Sequence, residues 1–160
     1  MTAPNWFDQQ AVSTLFSRLV SPCKQLGAFR SSVIQHEPKA APTANPALAL
    51  WWAGIGPARG FSGLDATSVR IEYRARVYLN FKSRSEEDID PLLMTLTSDV
   101  IGAFSGAFTL NGDVAAIDLL GAWGNPLAAT PGYLAQDGQE FRISEITIPL
   151  IVDAVWQQEA

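Results

Sequence analysis

A chain of 160 residues suits a single domain. With 48% hydrophobic and 17% charged residues it has the balance of a chain that folds around a sizeable core, not that of a disordered one. The 11 Lys and Arg against 16 Asp and Glu leave a net charge of −5, which supplies no general attraction to phosphate backbones and argues against nucleic-acid binding.

The first predicted element is a helix from about Asn5 to Val20. Val12, Leu15, Phe16, Leu19 and Val20 recur at the spacing of one helical face, Asn5 or Asp8 serves as cap, and Pro22 is expected to end the run. Phe29 to Gln35 is strand-like but poorly patterned. Residues 36–46 carry Pro38, Pro42 and Pro46 among small and polar residues, and predict an exposed loop or flexible arm. Ala47 to Trp52 predicts a short buried strand, followed by a glycine-rich turn over 54–63.

Val69 to Lys82 is the clearest signal, a long strict alternation. Val69, Ile71, Tyr73, Ala75, Val77, Leu79 and Phe81 share one face, while Arg70, Glu72, Arg74, Arg76, Tyr78, Asn80 and Lys82 share the other. A polar, acidic lead-in then opens a helix. Ser85 or Asp90 is its cap, Pro91 sits near its start, Leu92, Leu93, Leu96, Val100, Ile101 and Phe104 form its apolar face, and Gly106 marks its end.

Val114 to Leu120 fits a strand or a short helix equally well. Asn125-Pro126, Thr130-Pro131-Gly132 and Asp137-Gly138 mark turns before a last strand from about Glu140 to Trp156. In that strand Phe141 and Ile143 alternate in one phase and Ile146, Ile148, Leu150, Val152, Ala154 and Trp156 in the other, which predicts a bulge near Ser144 and Glu145. Pro149 predicts a sheet edge. Together these elements predict an α+β domain over residues 1–160, a mostly antiparallel twisted sheet with the N-terminal and central helices packed on one face.

The chain offers little for catalysis or metal binding. Its one histidine, His36, lies beside the proline-rich loop and reads as a surface residue; Cys23 has no second cysteine to pair with and reads as a small packed side chain. Glu86, Glu87, Asp88 and Asp90 lack the spacing of a calcium loop and are expected at a helix start from the helix dipole alone. The glycines of 54–63 form no phosphate loop. No run of about 20 apolar residues is present, and no signal-peptide pattern opens the chain, so no membrane contact and a cytoplasmic site of assembly are expected.

The basic stripe Arg70, Arg74, Arg76 and Lys82 has two readings. Alternate positions on a half-wet sheet are ordinarily polar, with Glu72, Glu140 or Glu145 as cross-strand partners; the stripe also suits a subunit interface. Trp51, Trp52, Trp123 and Trp156 divide in the same way between core and interface.

The order of features resembles the tail terminator family of long-tailed (siphovirus-type) bacteriophages. The resemblance rests on the amphipathic N-terminal helix, the arginine-rich strand Val69 to Lys82, the acidic turn into the helix Ser85 to Phe104, and the ending Asp137 to Val152. It implies a structural virion protein of the tail and neck, assembled in the host cytoplasm, with no catalytic residues, cofactor or metal. Its partners would be copies of itself in a ring, a hexamer in that family, together with the tail-tube protein and the head-tail connector. In such a ring Arg70, Arg74 and Arg76 are candidates to meet Glu86 and Asp88 of a neighbouring subunit. Another neck component, for head closure or tail completion, is the alternative within this context; a small-molecule binding domain built on the glycines and tryptophans is the alternative outside it.

Overall fold

The computed structural model describes residues 8–29, 32–58, 66–107 and 116–157. Among them are two α-helices, α1 (Gln9–Lys24) and α2 (Glu86–Gly106), and five strands: β1 (Ala47–Pro57), β2 (Ala66–Asn80), β3 (Ala116–Ile117), β4 (Ala128–Gln136) and β5 (Gln139–Gln157). The strands form one antiparallel sheet in the order β1-β2-β5, with β4 and β3 sharing the far side of β5. The fold is α+β, with both helices on one face.

That face is the one the alternation in β2 predicts. Val69, Ile71, Tyr73, Ala75, Val77 and Leu79 are buried, and the register sets them beside Leu48 and Leu50 of β1 and beside Ile146, Ile148, Leu150 and Val152 of β5. The helices close over this sheet with Leu15, Leu19, Val20 and Cys23 from α1 and Ile89, Leu93, Leu96, Val100 and Phe104 from α2. Each large side chain so buried contributes roughly 1.5–3 kcal/mol, which makes this core the main source of stability.

Asp8 caps α1, its carboxylate accepting the Ala11 amide at 2.8 Å. Asn5 lies outside the described residues. Pro22 does not end the helix, which runs on to Lys24. Leu19 and Cys23, flanking the proline, are fully buried, and holding them in the core outweighs the one backbone bond a proline removes. Ser85 takes the cap position of α2 without a side-chain cap bond; its hydroxyl donates to Asp88 instead, at 2.8 Å. Pro91 lies inside this helix.

The strand readings need four corrections. β1 continues through Gly54 and Gly56 to Pro57, so that part of the predicted glycine-rich turn is strand, with a register shift between Trp52 and Gly54; Gly60 and Gly63 fall outside the described residues. β5 has no bulge at Ser144 and Glu145, because its pairing with β2 is unbroken from Phe141 to Val152. The apparent phase change has another cause: Phe141 and Ile143 point to the opposite face, where they meet Ala47, Ala49 and Tyr78 in a second, smaller core. The shift in this ladder comes later, where Ser68 faces the β5 residues between Val152 and Trp156 and donates to Asp153 at 2.8 Å.

Pro149 is the third correction. β5 is interior, flanked by β2 on one side and by β4 and β3 on the other. The Pro149 carbonyl accepts the Asp118 amide at 2.9 Å, so its ring nitrogen faces the same side, into the break between β4 pairing, which ends at Thr147, and β3 pairing, which begins at Leu150. The missing donor therefore breaks no ladder bond.

The fourth concerns residues 36–46. Instead of a free arm they form a strap across the opposite face: Ala41 N–H donates to Asp137 (2.7 Å), Gln136 donates to the Pro38 carbonyl (3.1 Å), and Asn45 accepts the Asn80 amide (3.0 Å). Ile34 extends the strap as a parallel bridge on the edge of β1, and Ile34 and Ala41 cover the second core. His36 is exposed, as the sequence reading expects. Asp137-Gly138 makes a two-residue hairpin between β4 and β5, with both residues at positive φ (50° and 73°). Of the 114–120 segment, the described part forms the short strand β3 and then a turn.

Candidate interaction surfaces

Of the five residues that the sequence singles out, Arg70, Arg74 and Arg76 lie on the face opposite the helices, and Glu86 and Asp88 are exposed in the first turn of α2. Within one subunit the two groups do not meet. Arg76 pairs with Glu145, directly across from it in the register as the cross-strand reading expects, its Nε donating at 2.9 Å. The Arg76 guanidinium also donates to the Tyr78 hydroxyl at 3.0 Å and lies 5.0 Å over the Trp51 ring. Burial opposes its charge, but the hydrogen bonds with Tyr78 and Glu145 outweigh this and raise its pKa.

Arg70 is engaged just as fully. It donates to Asp118 at 3.3 Å and to the Asn125 carbonyl at 2.6 Å, with its side chain only 14% exposed. Asp118 is the functional surprise of this face, a buried carboxylate that also accepts the Ala122 and Trp123 amides at 2.8 and 3.0 Å. It thereby folds the turn 118–125 against Arg70, and Gly121 (φ 75°) supplies the left-handed residue that the turn requires. Only Arg74 is left substantially open, 37% exposed and paired with Glu72 on its own strand at 3.2 Å. The sequence offered no signal for Asp118 beyond a carboxylate three residues before a glycine.

Two apolar grooves flank the helical face. The first lies between α1 and the far half of β1, where Val12, Ile71 and Tyr73 surround a cavity of about 360 Å³ together with Trp52, Ile55 and Trp156. Trp52 is 59% and Ile55 46% exposed, so large apolar groups project here into solvent. The bulge after Trp52 helps present it, and the indole N–H folds back onto the Gly54 carbonyl at 2.9 Å. Phe16 of α1 stacks on Tyr73 at 5.5 Å and anchors the helix beside this groove.

The second groove, about 460 Å³, runs between α2 and β4. Its existence follows from side-chain size. On the helical side β4 presents only Ala129 and Pro131 beneath α2, too small to reach Leu93, Met94 and Ile101 on the helix. Met94 is 76% exposed on its rim. At one end Arg142 donates to Asp90 at 2.8 Å and to the Gly132 carbonyl at 3.0 Å, and stacks 4.3 Å over Tyr133. The hydrogen bond from Arg142 lowers the Asp90 pKa below its ordinary 3.8.

Cys23 is fully buried and desolvation raises its pKa to about 12, which keeps it a protonated, packed thiol.

No protein-family profile matches the chain, and no curated protein matches it. Among solved structures 29 chains match. One aligns with a TM-score of 0.50 at 13% identity, over 90% of this chain and 96% of its own length, and its name describes no function. At that identity the likeness bears on the fold alone: nearly the whole chain shares its architecture with another protein of similar length.

Proposed function

We infer that this protein is a structural assembly component, and that its role is that of a phage tail terminator: a ring on the end of the tail tube that stops tube growth and presents the surface for head attachment. The sequence resemblance supplies the specific role. The observation that carries the assembly reading is the pair of apolar grooves on opposite flanks of the helical face, with Trp52 and Ile55 exposed at one and Met94 at the other. Isolated apolar residues on a surface need no explanation, but groups of them around a concavity mark contact sites.

A ring closed by rotation uses two different patches on each subunit, and the two grooves among the described residues can serve as such a pair. The arginine stripe contributes less to such a contact than its sequence suggests. All three arginines hold partners within the subunit, but Arg70 and Arg76 are 14% and 11% exposed against 37% for Arg74, which leaves Arg74 as the member best placed to reach Glu86 or Asp88 of another copy.

Deletion of this gene from the viral genome that carries it, followed by electron microscopy of the lysate, tests the role. Tails of uncontrolled length without heads are expected. Tails of normal length beside unjoined heads would replace the terminator reading with a head-closure one.

A further inference from the structure

We propose that neighbouring copies meet head to tail through the two flanks of the helical face, Trp52 and Ile55 of one copy seating in the groove between α2 and β4 of the next. This rests on the ring reading above and names the contact that builds the ring.

Charge is the first argument. α1 carries Arg18 and Lys24 and no acidic residue, whereas α2 carries Glu86, Glu87, Asp88, Asp90 and Asp99 and no basic one. The helices lie side by side on the sheet, α1 toward β1 and α2 toward β4, so α2 gives its flank an excess of carboxylates, while α1 adds two cations to its flank against the single carboxylate of its cap, Asp8. A symmetric contact between two α2 flanks would set carboxylates against carboxylates. Joining unlike flanks removes that repulsion and orients the approach.

Shape is the second. Trp52 and Ile55 stand 59% and 46% exposed on the rim of the α1–β1 groove, free to reach into a neighbour, while the α2–β4 side is concave because Ala129 and Pro131 are small. A groove of about 460 Å³ is large enough for an indole and an isoleucine side chain together. Asp90 and Arg142 close one end of it, the polar rim expected around an apolar centre.

The third argument concerns the strand edges, which would otherwise compete as joints. Since the Pro149 carbonyl points toward β3, odd-numbered β5 residues turn their backbone polar groups toward the β4 side, and Thr130 and Gly132, opposite Glu145 and Ile143, bond inward. Pro131 between them therefore faces outward, where it lacks a donor. A proline at the outward position blunts an edge against strand addition. On β1 the matching outward groups of Leu48 and Leu50 are taken by Ile34. At these stretches of both edges, contact through side chains on the flanks is favoured over strand addition.

The test uses two variants of the full chain at exposed sites, Trp52→Ser and Met94→Arg, with mass followed by light scattering across protein concentration. Each is expected to melt at the temperature of the unmodified protein and to raise the concentration needed for assembly at least tenfold. Mixed together they are expected to stop at dimers, because each lacks a different half of the contact and only one productive pairing remains. If the unmodified chain assembles and both variants assemble equally well, the contact is wrong and the ring stands. If the unmodified chain stays monomeric at every concentration, self-assembly itself is wrong and the contact falls with it.

Discussion

Replacing Asp118 with alanine should cost the protein about 3 kcal/mol, more than a typical point substitution. The carboxylate is 2% exposed and accepts three donors: the Ala122 amide at 2.8 Å, the Trp123 amide at 3.0 Å and the Arg70 guanidinium at 3.3 Å. Hydrogen bonds to a charged group ordinarily contribute about 1.5–3 kcal/mol each. Here Ala122 is exposed and Trp123 half-buried, so water replaces part of what is lost and each amide accounts for roughly 1 kcal/mol. Arg70 keeps its bond to Asn125 at 2.6 Å, which holds its share well under the 3–5 kcal/mol typical of a broken buried pair, at about 1 kcal/mol.

Urea denaturation followed by circular dichroism measures this directly, as a lower midpoint at unchanged slope. In a thermal melt the same loss appears as roughly 6–12 °C, given that 1 kcal/mol shifts a domain of this size by about 2–4 °C. Asp118→Asn is the control. Its one amide oxygen can still accept a backbone N–H, and about half the loss should return. A loss below about 1 kcal/mol for the alanine variant, or an asparagine variant as damaged as the alanine one, would refute the view that this carboxylate folds the turn against Arg70.

Two further outcomes follow from the ionisable groups. With its pKa raised to about 12 by burial, Cys23 should resist a thiol reagent at pH 8 in the native protein and react at once in denaturant; fast native reaction would contradict its place in the core. Asp90 should titrate below 3.8 by carboxyl NMR, and Arg142→Met should return it to that value. The sign follows from linkage: a carboxylate whose folded pKa is depressed stabilises the fold above its unfolded pKa and loses that contribution as pH falls through the folded one. The effect is therefore confined to acid below about pH 4.

Most of the fold was legible because local pattern and burial agreed. The β2 alternation named its buried face from Val69 to Leu79, although the strand ends at Asn80, so that Phe81 falls in a short 3-10 turn, and Tyr78 on the other face is buried as well. The apolar stripe of α2 differs from the observed one mainly in Ile89, which the acidic lead-in concealed. What the sequence hid was tertiary. A strand reads as half-wet only if nothing covers its second face, and residues 36–46, polar and proline-rich, cover the end of it around Tyr78, Phe141 and Ile143. That cover produced the false phase change in β5. Pro149 misled for a related reason: an interior strand tolerates proline where its neighbour is broken into β4 and β3, and no local signal reveals such a break. Among the site residues, the alternation put Arg70 and Arg76 on one face and offered Glu145 as a cross-strand partner for the stripe, whereas Asp118, 48 residues from Arg70, gave no such signal because it lies in a turn and not on a long paired strand. The grooves depend on which small residues fall beneath which helix, and that is not a property of any one segment.

Covering both faces of the sheet has a consequence for assembly. The helices occupy one face; on the other, the strap fills one end and the turn held by Asp118 fills the other. Among the described residues the middle of that second face, around Glu72 and Arg74, stays most open, and these two residues already pair with each other. A contact there would have to desolvate an ion pair that exposure makes weak, gaining little in return. A contact on the flanks removes exposed tryptophan, isoleucine and methionine from water and brings a basic helix beside an acidic one, so both the apolar and the charge terms favour it. The same reasoning separates two kinds of arginine substitution: loss of Arg70 acts on the stability of the subunit through Asp118, whereas a change at Arg74, whose side chain is 37% exposed, leaves the fold intact.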